Sequence, residues 1–137
     1  MEIKKILVPV DGSKPSGRAF DCACAMAKGM GAKLVLLNIV IIPGFRVEVK
    51  PEDIEYVTKK GRAIVDDFAG KAPEGLEIEK KVEIGLPTND LVRIAEEEKV
   101  DLIVMGNSGK GALSSFVIGS VSHYALQHVN CPVVIVK

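Results

Sequence analysis

Four short runs of this chain are apolar without alternation: Ile6 to Val10, Lys33 to Val40, Leu102 to Met105 and Val133 to Val136. Runs of this kind fit strands buried on both faces of a parallel sheet, where helices cover either side. The intervening stretches have the matching helical period. Ser13 is a candidate N-cap, and Ala19, Phe20, Ala23, Met26, Ala27 and Met30 then recur at spacings of three and four up to the glycines at 29 and 31. Pro51 or Glu52 opens a second helix with Ile54, Val57, Ile64, Val65 and Phe68 facing inward, although Gly61 weakens it. Gly85, Leu86 and Pro87 lead into a third, with Leu91, Ile94 and Ala95 inward, and Val121 to Val129 reads as a fourth.

A fifth strand reads differently. From Leu76 to Ile84, apolar residues alternate with charged ones, and only Lys80 breaks the apolar face. Alternation leaves one face wet, which predicts a strand at the sheet edge. Strand and helix alternate along all 137 residues, so the expected fold is α/β: one domain, residues 1–137, with a doubly wound open sheet of five parallel strands and helices on both faces. In such sheets ligands sit beyond the carboxyl ends of the strands, where the strand order reverses. Pro9 supplies no N–H to a ladder, so it belongs at the carboxyl end of the first strand, beside the end of the fourth at Met105 and Gly106.

Eighteen basic and eighteen acidic side chains cancel. No global field therefore steers the chain to nucleic acid or to an anionic membrane. No apolar stretch approaches the roughly 18 residues of a membrane span, and the N-terminus lacks signal-peptide flanks, which predicts a cytoplasmic protein. Cys22, Cys24 and Cys131 are odd in number and read as small hydrophobes rather than as a disulfide or metal framework.

The chemistry concentrates in Gly106 to Ser122, GNSGKGALSSFVIGSVS, placed between a strand and a helix. Glycines let backbone approach an anion, and a helix N-terminus presents unpaired N–H groups. Two familiar phosphate loops are excluded. Gly109 and Lys110 are followed by Gly111 where a Walker loop needs Ser or Thr, and the dinucleotide fingerprint G-x-G-x-x-G is absent. The pattern present is Gly106, two residues, Gly109, nine residues, then Gly119 and Ser120.

That pattern resembles the ATP-binding branch of the universal stress protein family. The segments ILVPVDGS at 6–13, GLP at 85–87, DLIVMG at 101–106 and CPVVIV at 131–136 fall where that family has similar ones. The resemblance implies a Rossmann-like fold of the adenine nucleotide alpha hydrolase-like type, and a site built from both halves of the sheet. Pro9, Val10 and Asp11 would border the adenosine, with Ile39 against the adenine. Met105 and Gly106 would meet the ribose side. Gly109, Gly119, Ser120, Val121 and Ser122 would wrap the phosphates, with Lys110 as a point charge.

The cofactor implied is ATP or another adenine nucleotide with Mg, for which Asp11 is a candidate carboxylate. Asn107 and Ser108 occupy positions where many relatives have a residue followed by histidine. His123 and His128, five residues apart, do not share a helical face, and His128 suits the C-terminal dipole of its helix. No nucleophile, base or arginine finger stands out, so the expected role is a nucleotide-dependent switch in a stress response. A weak ATPase and a nucleotide-free interaction module remain as alternatives. Expected partners are the nucleotide, an unknown protein and a second copy of the chain, paired through the exposed edge of strand 133–136.

Overall fold

The computed structural model describes residues 1–42, 48–108 and 118–137. Five parallel strands alternate with four helices: β1 (Lys5–Pro9), α1 (Lys14–Met30), β2 (Lys33–Val40), α2 (Pro51–Gly70), β3 (Ile78–Ile84), α3 (Asn89–Glu97), β4 (Leu102–Gly106), α4 (Ser120–His128) and β5 (Val133–Val136). The strand order is β3-β2-β1-β4-β5. The expected fold class and the edge position of the third strand are both as observed.

Alternating side chains divide the core between the two faces of the sheet. Ile6, Val8, Val10, Leu34, Leu36 and Val104 pack with Ala19, Phe20 and Ala23 of α1 and with Val65 and Phe68 of α2. Leu7, Val35, Leu37, Ile103 and Met105 pack on the other face with Leu91 and Ile94 of α3 and Ala125 of α4. The unbroken apolar runs thus record helices on both sides.

Local chemistry sets the boundaries. The Ser13 hydroxyl caps α1 by accepting the Ser16 N–H at 3.3 Å, and Gly31 ends that helix at φ +67°, a conformation that costs glycine little. The Asp101 carboxylate accepts the N–H groups of Lys4 and Lys5, both at 2.9 Å, and so fastens the start of β1 to that of β4. Lys80, the residue that broke the apolar face of β3, reaches across to Asp66 of α2 at 2.8 Å. The expected wet face of β3 instead pairs its charges: Glu79 with Lys33, Lys81 with Glu98, and Glu83 with Arg93.

Three readings of the helices change. Met30 and Ile54 are exposed rather than inward, because each sits in a terminal turn beyond the packed stretch. Gly61 does not weaken α2. A Cβ there would lie 2.7 Å from Asn38 Oδ1 and 2.8 Å from Val40 Cγ1 and Val82 Cγ1, so its absence lets α2 settle directly on β2 and β3.

Candidate functional site

The sheet opens where its topology reverses. β1 and β4 pair only at Ile6–Leu102 and Leu7–Ile103, while β1 stays paired with β2 as far as Pro9–Leu37. Val10 N–H donates to Leu37 O, so the nitrogen of Pro9 lies on the β4 side, where pairing has already ended. The proline removes a donor that would otherwise have no rung to join. The gap continues into a cleft of about 620 Å³, its open mouth included.

Eight of the twelve residues expected at the site line this cleft: Pro9, Val10, Asp11, Ile39, Met105, Gly106, Val121 and Ser122. Gly119 and Ser120 stand at the start of α4, beside the lining. Gly109 and Lys110 lie outside the described residues. Ser16, Leu37, Asn38, Pro87 and Ser108 also border the cleft and were not anticipated. A signal existed for Asn38, a single amide in the strand sequence KLVLLNIV, since a polar side chain in a doubly covered strand must have a partner.

The walls are held by short contacts. Asp11 Oδ1 accepts the Ser13 N–H at 2.9 Å, and Ser16 Oγ donates to Ser13 O at 3.0 Å, so the β1–α1 turn is closed on itself. Asn38, 4 % exposed, donates from Nδ2 to the Val10 carbonyl at 2.7 Å. Across the cleft, Pro87 is set by the turn before α3, where the Asp90 carboxylate accepts the Leu86 N–H at 2.7 Å. That N–H, and then the guanidinium of Arg93, hold the Asp90 carboxyl below the usual carboxylate range.

Three of the expected site residues also make structural contacts: Gly119 and Ser122 of the phosphate set, and Gly106 of the ribose side. The Gly119 N–H is given to Asn107 O at 2.6 Å, which removes it from the donors facing the cleft. The Ser122 hydroxyl, 2 % exposed, donates to Gly106 O at 2.8 Å, so it ties α4 to β4. Gly106 owes its lack of side chain to α1: a Cβ would lie 2.8 Å from the carbonyl carbon and the Cβ of Pro15 and 2.9 Å from the Pro15 oxygen. The first-turn N–H groups of Ser120, Val121 and Ser122 have no intrahelical acceptor, and no acceptor for them is found among the described residues.

Asp11 is the one ionisable residue among the lining residues described, and no group of three or more metal-ligating side chains occurs among the described residues. A divalent cation would therefore need ligand oxygens in addition to this carboxylate. His123 is exposed, and His128 Nδ1 lies 2.9 Å from Tyr124 O, in the last turn of α4 as its sequence position suggested. Burial pushes the Cys24 thiol up to about 11, with Asp21 adding to the shift, and burial also raises Cys131. Neither favours the thiolate that cysteine chemistry requires.

A five-stranded parallel sheet with a cleft at its switch point, bordered by a helix N-terminus, defines a Rossmann-like α/β protein. More narrowly, the chain belongs to the universal stress protein family, whose model matches residues 2–137. Universal stress protein MJ0531 of Methanocaldococcus jannaschii is 34 % identical over 98 % of this chain and 82 % of its own length. Among solved structures, that of protein MJ0577 superposes with a TM-score of 0.82 at 26 % identity, covering 100 % of this chain and 97 % of that one. A universal stress protein in complex with cAMP has a TM-score of 0.66 at 28 % identity, with 100 % and 98 % covered. One from Archaeoglobus fulgidus in complex with dAMP has a TM-score of 0.65 at 25 % identity over the whole of both chains. Among the described residues, no helix is long and apolar enough to cross a membrane.

Proposed function

We propose that this chain binds an adenine nucleotide in the cleft between β1 and β4 and works as a nucleotide-dependent switch in a cytoplasmic stress response. The observation that carries the reading is the polarity of the cleft. Its lining is largely apolar (Pro9, Val10, Leu37, Ile39, Met105), and it also includes Val121 and Ser122 from the first turn of α4, whose N–H groups have no acceptor among the described residues. A flat apolar base and an anionic tail match such a site. Relatives solved with cAMP and with dAMP support the same ligand class.

In this reading the adenosine rests on Pro9, Val10, Asp11 and Ile39, and the ribose on Met105 and Gly106. The phosphates meet the amides of Ser120, Val121 and Ser122, with Gly109 and Lys110 completing the phosphate side. ATP is the proposed ligand, with Mg held between its phosphates and Asp11. The switch acts through the surface offered to a protein partner. A homodimer forms through β5, an edge strand whose four residues are all partly exposed.

The test is to denature purified protein and identify released nucleotide by chromatography, then titrate the emptied protein with ATP, AMP and cAMP. Release of an adenine nucleotide, or tight binding of one, is expected. Ser120→Glu should abolish both while leaving the melting temperature intact, because Ser120 is exposed and a carboxylate in the first turn of α4 suits the helix dipole yet competes with phosphate. Absence of binding by all three nucleotides, or unchanged binding in Ser120→Glu, would overturn the reading.

A further inference from the structure

We propose that Asn38 is a positioning residue for the cleft: its amide ends the β1–β2 ladder and holds the wall on which the adenosine rests in the reading above. The last backbone rung runs from Val10 N–H to Leu37 O at 2.8 Å. In a parallel ladder the next rung would bring Ile39 N–H to the Val10 carbonyl. Asn38 Nδ2 takes that carbonyl instead, at 2.7 Å. β1 therefore leaves the sheet at Val10, and the space between Val10 and Ile39, two lining residues, stays open.

The surroundings argue that the amide is there for its donor. Asn38 is buried, and its Oδ1 has no hydrogen-bond partner among the described residues. That oxygen faces α2 at Gly61, the helix position where a Cβ would meet it at 2.7 Å. For packing alone, a leucine of similar shape would avoid a buried orphan acceptor. The reversed amide would set its oxygen against the Val10 carbonyl, so the orientation is fixed by that contact. Asn38 thus links three pieces of the molecule: α2 through the niche at Gly61, the turn that carries Asp11 through Val10, and the cleft between them.

The proposal depends on the nucleotide reading only for its effect on affinity, so two readouts are needed. Hydrogen exchange at residues 10–13 in nucleotide-free protein reports the wall itself. Calorimetry with AMP and ATP from pH 7.5 to 5 reports its use. Asn38→Leu should keep the melting temperature, speed exchange at 10–13 and weaken binding on the order of tenfold, the equivalent of one lost hydrogen bond. Asn38→Asp should bind weakly at pH 7.5 and recover toward the wild-type value as pH falls, because a protonated carboxyl again donates to Val10 O. Burial raises the pH at which that proton is taken up.

Asp11 is the only other ionisable group among the described lining residues, and it is common to every variant. Dividing by the wild-type affinity at each pH removes its contribution. Unchanged exchange in both variants, or a variant-to-wild-type ratio flat with pH in Asn38→Asp, would overturn the proposal. If the wild type itself binds no adenine nucleotide, the functional reading falls, while the exchange measurement still decides whether Asn38 holds the wall.

Discussion

Gly106→Ala separates the two reasons a glycine could stand at the end of β4. Gly106 is not among the glycines of positive φ, so its backbone accepts alanine and the cost is steric. The new methyl would lie 2.8 to 2.9 Å from three atoms of Pro15, two of them backbone, in the first turn of α1. A contact that short cannot be relieved by a rotamer change, so α1 or β4 must move. Overpacking of this kind costs about 1–3 kcal/mol, offset by about 0.4–1 kcal/mol from the smaller entropy of the unfolded chain. The net is roughly 1–2 kcal/mol of destabilisation. At about 2.1 cal/mol/K of unfolding entropy per residue, a chain of this length moves about 3.5 °C per kcal/mol, which gives a fall of roughly 3–7 °C. Differential scanning calorimetry on nucleotide-free protein measures it. Pro15→Gly should not rescue the variant, since the backbone atoms of residue 15 remain. An unchanged melting temperature with lost nucleotide binding would refute the packing argument and return Gly106 to the role of a ligand-approach glycine.

Two further outcomes follow from contacts of the same kind. Ser122→Ala removes a buried 2.8 Å hydrogen bond to Gly106 O and should cost about 0.5–1.5 kcal/mol in urea unfolding, whereas Ser122→Thr, which keeps a hydroxyl, should cost less; equal losses would mean the bond contributes nothing. Glu98 accepts from Lys81 at 2.7 Å and pairs with Lys5 at 3.6 Å. The Lys81 bond, followed by the charges of Lys81 and Lys5, lowers its carboxyl from 4.5, and the same bond raises Lys81 from 10.5. A depressed carboxyl contributes stability that is complete above its unfolded value and lost as pH falls through the folded one. A raised amine contributes stability that is complete below 10.5 and lost as pH rises through its folded value. The stability difference between wild type and Glu98→Gln should therefore be constant near neutrality and shrink below about pH 4.5. A difference that stays flat down to pH 3 would show that the pair is not coupled to folding.

The fold was legible in the sequence because burial on two faces leaves a distinctive trace. Runs such as ILVPV and LIVMG have no polar face, and between them the helical period returns; Pro9 even marked where pairing stops. The alternating run at 76–84 carried its edge position in the same way. Less legible was what lies opposite each small residue. Gly61 looked like a defect in α2 because nothing in its own segment shows that Asn38, Val40 and Val82 pass beneath it. Asn38 itself was hidden by the apolar run around it. Eight of the residues that the family resemblance named line the cleft, yet hydrogen bonds that cross between elements, such as Ser122 to Gly106, leave no periodicity to read.

Gly106, Gly119 and Ser122 therefore act on the site largely by building it. Gly106 admits the start of α1 against β4, its carbonyl holds Ser122, and the Asn107 carbonyl holds the Gly119 amide. These contacts join the β1–α1 turn, the end of β4 and the first turn of α4 into one unit, with Val121 and Ser122 of that turn lining the cleft. Substitutions at positions 106 and 122 should consequently lower stability and affinity together. Ser120 is exposed at the start of α4, so Ser120→Glu should lower affinity alone. A panel plotted as affinity against melting temperature would place the first two variants on a common trend and Ser120→Glu well off it. If all three lay off the trend, the motif would be touching ligand directly rather than holding the frame that does.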